Sequence, residues 1–236
     1  MKNSVLLGAL TIAGLAAGAA AAGTLDDVKA RGTLNCGVTT GLVGVAALDA
    51  NGVGECFDVV LCRALAAAVL GDPMAVEFVP TTGQTRFTAL ASGEIDFLAR
   101  NTTWTFSRDV DLKFEFVGIN YYDGQGFMVP RALGVSSAKD LDGATVCIQT
   151  GTTTELNLAA FFRTNNISYE PVPIETNAEG QQQYLAGARD VYTTDASGLA
   201  ATRAPFEAPA DHVLLPEIIS NEPLGPLVRT GSPECG

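Results

Sequence analysis

Three short runs hold residues whose types and spacing suit the capture of a small charged ligand. The first is Asn101-Thr102-Thr103-Trp104-Thr105-Phe106-Ser107-Arg108-Asp109, with hydroxyls, an indole and a guanidinium close together. A guanidinium presents a planar fork of donors that matches a carboxylate. Arg108 is therefore a candidate carboxylate clamp, and the plainer alternative is an exposed arginine paired with Asp109 or Asp111. Trp104, the only tryptophan, reads first as core. The second run, Thr150-Gly151-Thr152-Thr153-Thr154-Glu155, lies between a strand signal and a helix signal. Free backbone N–H groups and hydroxyls at such a helix start receive an anion well. Thr152 and Glu155 also have the spacing of a capping box, which needs no ligand. No lysine follows the glycine as a P-loop requires, so nucleotide binding is not expected. The third candidate is Asp195, at the end of an apolar strand, where a carboxylate is costly unless it is paired. A ligand ammonium would be a suitable partner, and an N-cap on a helix from Ala196 to Ala204 is the alternative role.

Groups for catalysis are thin. His212 is the only histidine, and no Gly-x-Ser-x-Gly run accompanies it. Carboxylates are plentiful, but no pair stands out for acid/base work. The five cysteines, Cys36, Cys56, Cys62, Cys147 and Cys235, form no CxxC, so neither a metal site nor a cofactor is expected.

Alternating strand and helix signals position these runs. A short helix from Leu25 to Arg31 opens with a box-like Thr24 and Asp27, and a strand from Thr33 to Val38 follows. Phe57, Leu61, Ala64, Leu65 and Ala68 recur at helical spacing before Gly71. Ala75 to Val79 reads as a strand, Gln84 to Ser92 as a helix, and Ile95 to Ala99 as a buried strand. The second half reads as strand (Ala144 to Gln149), helix (Thr152 to Phe162), strand (Tyr169 to Ile174), helix (Ala178 to Ala186) and strand (Val191 to Thr193). An extended connector from Asn120 to Pro130 separates the halves. The pattern is that of an α/β protein with largely parallel sheets. Ser92 to Asn101 and Ala186 to Asp195 share helix end, Gly-x-x-Asp, strand and polar residues, either by duplication or because that connection is common. In both cases a polar loop lies at a strand's carboxyl end, where open sheets bind ligands.

Composition narrows the partners. With 47% hydrophobic and 17% charged residues the chain is not a disordered one. Its net charge of -12 repels phosphate backbones, so no nucleic acid is expected. Lys2, the apolar Val5 to Leu15 and Ala20-Ala21-Ala22 have the three parts of a secretory signal. Cleavage after Ala22 would begin the exported protein at Gly23, without stable membrane insertion. Export permits disulfides, but spacing alone leaves their connectivity open and an odd count leaves a thiol over.

From Thr24 to Arg229 the sequence resembles the periplasmic solute-binding proteins of polar amino-acid ABC transporters, in particular the general L-amino-acid branch (bacterial extracellular solute-binding proteins, family 3). The resemblance rests on Cys36-Gly37-Val38, Asp58 to Ala64, Arg86-Phe87-Thr88-Ala89-Leu90, and the runs RNTTWT (100–105), NYYDGQGFMV (120–129), GTTTELNLA (151–159), DVYTTDASGLA (190–200) and LPEIISNEPLGP (215–226). It implies a type II periplasmic-binding-protein fold of two lobes joined by crossing strands. The expected division is 1–22 signal peptide, 23–125 first lobe, 126–215 second lobe, and 216–236 a return crossing toward the first lobe, which is truncated at that return because relatives continue further. Apolar surface of the first lobe is expected to stand open as a result, with the second lobe the better ordered.

The resemblance further implies a periplasmic, monomeric, non-catalytic protein that delivers L-amino acids to an inner-membrane ABC permease. Arg108 would hold the ligand carboxylate with Thr103, the backbone near Asn101 and Thr152, and Asp195 would bind the ammonium. Broad side-chain selectivity follows from that arrangement. A Cys36–Cys62 disulfide is implied, with Cys147 unpaired because Ala188-Arg189 stand where relatives carry its partner. Cys56 replaces a position commonly aromatic, and TTGLVGVAAL (39–48) replaces a loop that usually carries a serine or aromatic residue near the ligand. A cyclic-acid dehydratase on the same fold and an inactive remnant are the alternatives.

Overall fold

The computed structural model describes residues 23–39 and 56–230. The expected leader, most of the loop from Thr39 to Leu48, and Cys235 lie outside the described residues. In chain order the elements are α1 (Thr24–Arg31), β1 (Leu34–Val38), α2 (Phe57–Leu70), β2 (Val76–Pro80), α3 (Arg86–Ser92), β3 (Phe97–Leu98), β4 (Phe114–Phe116), β5 (Tyr121–Asp123) and β6 (Gln125–Pro130). They continue with β7 (Ala144–Gln149), α4 (Thr153–Thr164), β8 (Tyr169–Ile174), α5 (Asn177–Leu185), β9 (Val191–Asp195), α6 (Ala196–Arg203), β10 (His212–Leu214), β11 (Glu222–Leu224) and β12 (Leu227–Arg229). A π-helical turn spans Ser107–Asp111.

Two five-stranded sheets share one plan. The first has the order β2-β1-β3-β12-β4 and the second β8-β7-β9-β6-β10. In each, the first three strands are parallel and the last two pairings are antiparallel. The fourth strand of each sheet arrives from the other half of the chain: β12 returns to the first lobe and β6 enters the second. The crossing itself is a two-stranded ladder in which β5 pairs with β11, Glu222 opposite Asp123 and Leu224 opposite Tyr121. The extended connector expected from Asn120 to Pro130 is thus two paired strands, β5 and β6. Its glycines break the run locally while β9 and β10 flank β6 on both sides.

The local similarity between the halves has a structural counterpart. Asp96 accepts from the backbone N–H of Asn35 on β1 at 2.9 Å, and Asp190 accepts from that of Thr145 on β7 at 2.8 Å. Each carboxylate fixes the register of a parallel pair just before its third strand begins. Side chains then alternate across the sheets as strand geometry requires. Phe127, Val146 and Val191 join Leu158 and Phe162 on one face, and their neighbours Met128, Cys147 and Tyr192 join Tyr184 and Leu199 on the other. In the first lobe Leu34, Cys36, Val38 and Phe97 pack on Val28 and Ala66, while Leu98, Phe114 and Phe116 pack on Leu90 and Ile95. Each such side chain contributes roughly 1.5–3 kcal/mol by leaving water.

Helix ends show where local signals hold and where they are overridden. α2 and α3 stop at Gly71 and Gly93, whose φ angles of 78° and 81° suit glycine. α1 has Gly23 as its N-cap, so the expected box of Thr24 and Asp27 does not form. Thr24 lies inside the helix and its hydroxyl accepts from Arg229 at 3.1 Å. Cys36 and Cys62 are joined, tying β1 to α2 with Cα atoms 6.2 Å apart. Cys147 keeps a buried free thiol. An apolar groove of about 400 Å³ between Leu61, Leu65, Phe97, Val117, Ile119 and Pro226 opens on the first lobe. Among the described residues no helix is long and apolar enough to cross a membrane.

Candidate ligand-binding site

The carboxyl ends of β3 and β9 face one another across the crossing strands. β3 delivers Arg100, Asn101, Thr102 and Thr103, and β9 ends on Asp195. The loop after β3 is stitched to the crossing: Trp104 N donates to Pro223 O at 2.7 Å and Gly225 N to Thr102 O at 3.0 Å. Backbone hydrogen bonds thus tie the site loop to the crossing strand β11.

Arg108 rises from the π-helical turn, is 7% exposed, and donates to the carbonyl of Thr103 at 2.8 Å. Its guanidinium lies over the Phe87 ring, 5.3 Å from the centroid. It forms no ion pair with Asp109 or Asp111. Asp109 instead accepts from the Trp104 indole at 3.1 Å, and Trp104 stacks on Phe116 with ring centroids 5.1 Å apart. The indole belongs to the core beneath the loop, leaving Arg108 directed to the cleft. Burial pushes the Arg108 pKa down to about 10, and the Glu222 and Asp195 carboxylates work against that shift.

Asp195 is the N-cap residue of α6, yet its side chain caps nothing. Its Oδ2 accepts from Asn101 Nδ2 at 2.9 Å across the cleft. Burial raises its pKa to about 7, Asp123 and Glu222 add to the rise, and the Asn101 bond and Arg86 only partly offset it. A buried carboxylate in that position binds a cation with little competition from water.

Thr152 is the N-cap of α4, but its hydroxyl turns back to Gln149 O at 2.6 Å. Glu155 accepts from Gly151 N at 3.3 Å, one residue before the N-cap, so the expected capping box of Thr152 and Glu155 does not form. The neighbouring Thr153 carries the hydroxyl that crosses the cleft, 3.2 Å from Thr103 Oγ1. Asn101, Thr103, Arg108, Thr152 and Asp195 all line one polar compartment, together with Arg86, Arg100, Gln149 and Thr153. Its free volume is about 10 Å³, scarcely the room one water needs, so the lobes are closed on it.

Several site residues escaped the sequence reading. Glu222 on β11 accepts from Thr103 Oγ1 of the first lobe and from Thr153 Oγ1 (3.2 Å) and Asn157 Nδ2 (2.6 Å) of the second. Arg86 at the start of α3 is 2% exposed and donates to Thr102 Oγ1 and, across the cleft, to Gly151 O, each at 3.3 Å. Burial and the positive charges of Arg100 and Arg108 lower its pKa well below the usual guanidinium range. Arg100 donates to Thr81 O at 3.1 Å, and burial lowers its pKa to about 10. An arginine directly after a buried strand, in a chain so poor in charge, is the signal that could have exposed Arg100. Glu222 gave none beyond its place in the return crossing.

A second, apolar-walled cavity of about 280 Å³ adjoins the polar compartment and shares Arg100, Asn101 and Asp195 with it. Phe57, Tyr121, Leu224 and Ala201 wall it, with Asp58, Asn120 and Ser197. Polar head site and apolar annex together form a cleft enclosed by two lobes. That architecture is the one used by soluble proteins that close on a small solute. The chain belongs to the bacterial extracellular solute-binding proteins, family 3, whose model matches residues 34–234. It is 66% identical over 236 residues to the glutamate/glutamine/aspartate/asparagine-binding protein BztA of Rhodobacter capsulatus, covering all of this chain and 70% of that one. It is 57% identical to the general L-amino acid-binding periplasmic protein AapJ of Rhizobium johnstonii, over 98% of this chain and 68% of that one. A solved ABC-transporter periplasmic binding protein from Brucella ovis, with glutathione bound, superposes with a TM-score of 0.86 at 53% identity, covering 91% of this chain and 67% of that chain.

Proposed function

We propose that this protein captures L-amino acids outside the cytoplasm by their common head group and hands them to an ABC permease in the inner membrane. The observation that carries the reading is the pairing of opposite buried charges on facing lobes: Arg108 with its hydroxyl neighbours on one side, Asp195 on the other. A zwitterion satisfies both at once, whereas a simple anion or cation satisfies one and leaves the other uncompensated. Thr103 and Thr153 would assist at the ligand carboxylate, with Thr152 contributing backbone at the start of α4. Asn101, which holds Asp195 in the closed form, would yield to the ammonium or share it.

The relatives support this ligand class, since their names specify amino-acid binding, and glutathione carries the same α-amino acid head. Binding without turnover is in keeping with a lining that, among the described residues, holds no histidine or cysteine. The protein is proposed to act as a monomer that is exported with removal of residues 1–22. Isothermal calorimetry of the secreted protein against a panel of L-amino acids tests the reading. Saturable binding of several of them, with no chemical change in the recovered ligand, is expected. Failure of every amino acid to bind would overturn it.

A further inference from the structure

Two of the buried arginines at the head-group site share one support. The Arg86 guanidinium lies over the Phe87 ring, 4.8 Å from the centroid, and that of Arg108 lies over the same ring at 5.3 Å. Both cations line the polar compartment, and among the described residues the only ion pairs within 4 Å are Arg31–Asp96 and Arg229–Asp96. The site loop holds each guanidinium at an edge: Arg86 donates to Thr102 Oγ1 at 3.3 Å and Arg108 to Thr103 O at 2.8 Å. The ring that meets their faces is itself fixed. Phe87 follows Arg86 in the first turn of α3 and stacks on Phe114 of β4, with centroids 5.6 Å apart and planes 19° from parallel. Two like charges held this close in a compartment that excludes water repel one another, and Arg108 is among the groups that lower the Arg86 pKa. An aromatic ring carries negative potential on its face, so it attracts a cation laid over it, most strongly where water is excluded. An aliphatic side chain of similar bulk would fill the same space without that attraction.

We propose that Phe87 is a positioning residue for head-group capture: the face of its ring holds the Arg108 guanidinium in place for the ligand carboxylate and steadies Arg86 beside it. The inference rests on the head-group reading above, which gives Arg108 the carboxylate. Phe87 lines neither the polar compartment nor the annex, so it acts through the two cations rather than on the ligand. Through Arg86 its influence reaches the second lobe, because Arg86 Nη2 donates to Gly151 O across the cleft at 3.3 Å. Every amino acid carries the same carboxylate. The contribution of the ring is therefore the same whatever side chain the ligand bears.

The test replaces Phe87 in the full chain, by amber suppression, with phenylalanines that carry progressively more ring fluorines, and measures calorimetric affinity for L-glutamine, L-asparagine and L-alanine. Fluorine drains negative potential from the ring face while scarcely changing its shape, so stacking on Phe114 is kept and the circular dichroism should match the wild type. Affinity is expected to fall with each added fluorine, to about tenfold in the trifluoro ring, by the same factor for all three ligands. Phe87→Leu should lose about tenfold or more, and if that variant fails to fold the fluorine series decides. A ring that served packing alone would give a flat or rising series, since fluorination makes it more apolar. That result would overturn the inference while leaving head-group capture intact. A loss that differs among the three ligands would also overturn it, because Phe87 would then be reading the side chain. Absence of binding of all three by the wild type would remove the head-group reading and the inference with it.

Discussion

Asn101 of the first lobe donates its side-chain N–H to Asp195 of the second at 2.9 Å, joining residues 94 apart in sequence. A neutral amide thus occupies the side of Asp195 that faces the cleft. Burial, with the Asp123 and Glu222 carboxylates adding to it, keeps the Asp195 pKa raised despite that bond.

Affinity should fall in acid. Ammonium capture needs Asp195 as a carboxylate, and its raised pKa of about 7 means that the free protein protonates there. Below that point, binding of any amino acid is expected to weaken by up to about tenfold per pH unit. Calorimetry of one neutral amino acid between pH 5.5 and 8.5 measures the slope, and Asp195→Asn should show none.

Stability of the ligand-free protein should move the other way. A carboxyl whose folded pKa lies above its unfolded value stabilises the fold fully below the unfolded pKa, and that contribution is lost as pH rises through the folded one. For Asp58 and Asp195 the window runs from 3.8 to about 7. Wild type is expected to gain on Asp195→Asn in thermal melts as pH falls from 8 to 5.5, and equal slopes would contradict it.

Closure should depend on a glycine that touches no ligand. A Cβ on Gly83 would sit 2.4 Å from the Thr150 carbonyl of the opposite lobe. Gly83→Ala should leave the fold and melting temperature unchanged but cost roughly 1–3 kcal/mol of binding, as overpacking usually does. Small-angle scattering should show a more open ligand-bound form.

Glu222 should couple stability to closure. It gathers Thr103, Thr153 and Asn157 from both lobes. Glu222→Leu strands those donors and leaves Arg108 less compensated, at about 1–3 kcal/mol per unsatisfied buried group. Denaturant titration and ligand affinity should both decline.

The Cys36–Cys62 bond closes a loop whose ends are 26 residues apart. Its reduction should cost about 2–4 kcal/mol in unfolding free energy, and non-reducing peptide maps should recover that linkage. A Cys36–Cys56 peptide would contradict it.

Much of this architecture was legible because it is local. β7 and β8 match their expected bounds, and Gly71 and Gly93 end helices where glycine was expected to. The strands β5 and β6 were not legible as strands, because their ladders are made with β11, β10 and β9, far along the chain. The same non-locality governs the site. Asp195 at a strand end and Arg108 in the loop that follows one were legible as candidates, but Glu222 acquires its contacts only when the return crossing brings it against Thr103. Thr152 and Thr153 are adjacent in sequence, and only the start of α4 decides which hydroxyl faces the cleft. Resemblance added what spacing could not, above all the partner of Cys36.

The central claim is head-group capture by opposed charges, and calorimetry of one L-amino acid on wild type and Asp195→Ala tests it most directly. Loss of roughly 2–5 kcal/mol of binding is expected, since a buried hydrogen-bonded charge loses its partner. The variant should retain the wild-type circular dichroism. Binding by Asp195→Ala that is indistinguishable from wild type would contradict the account.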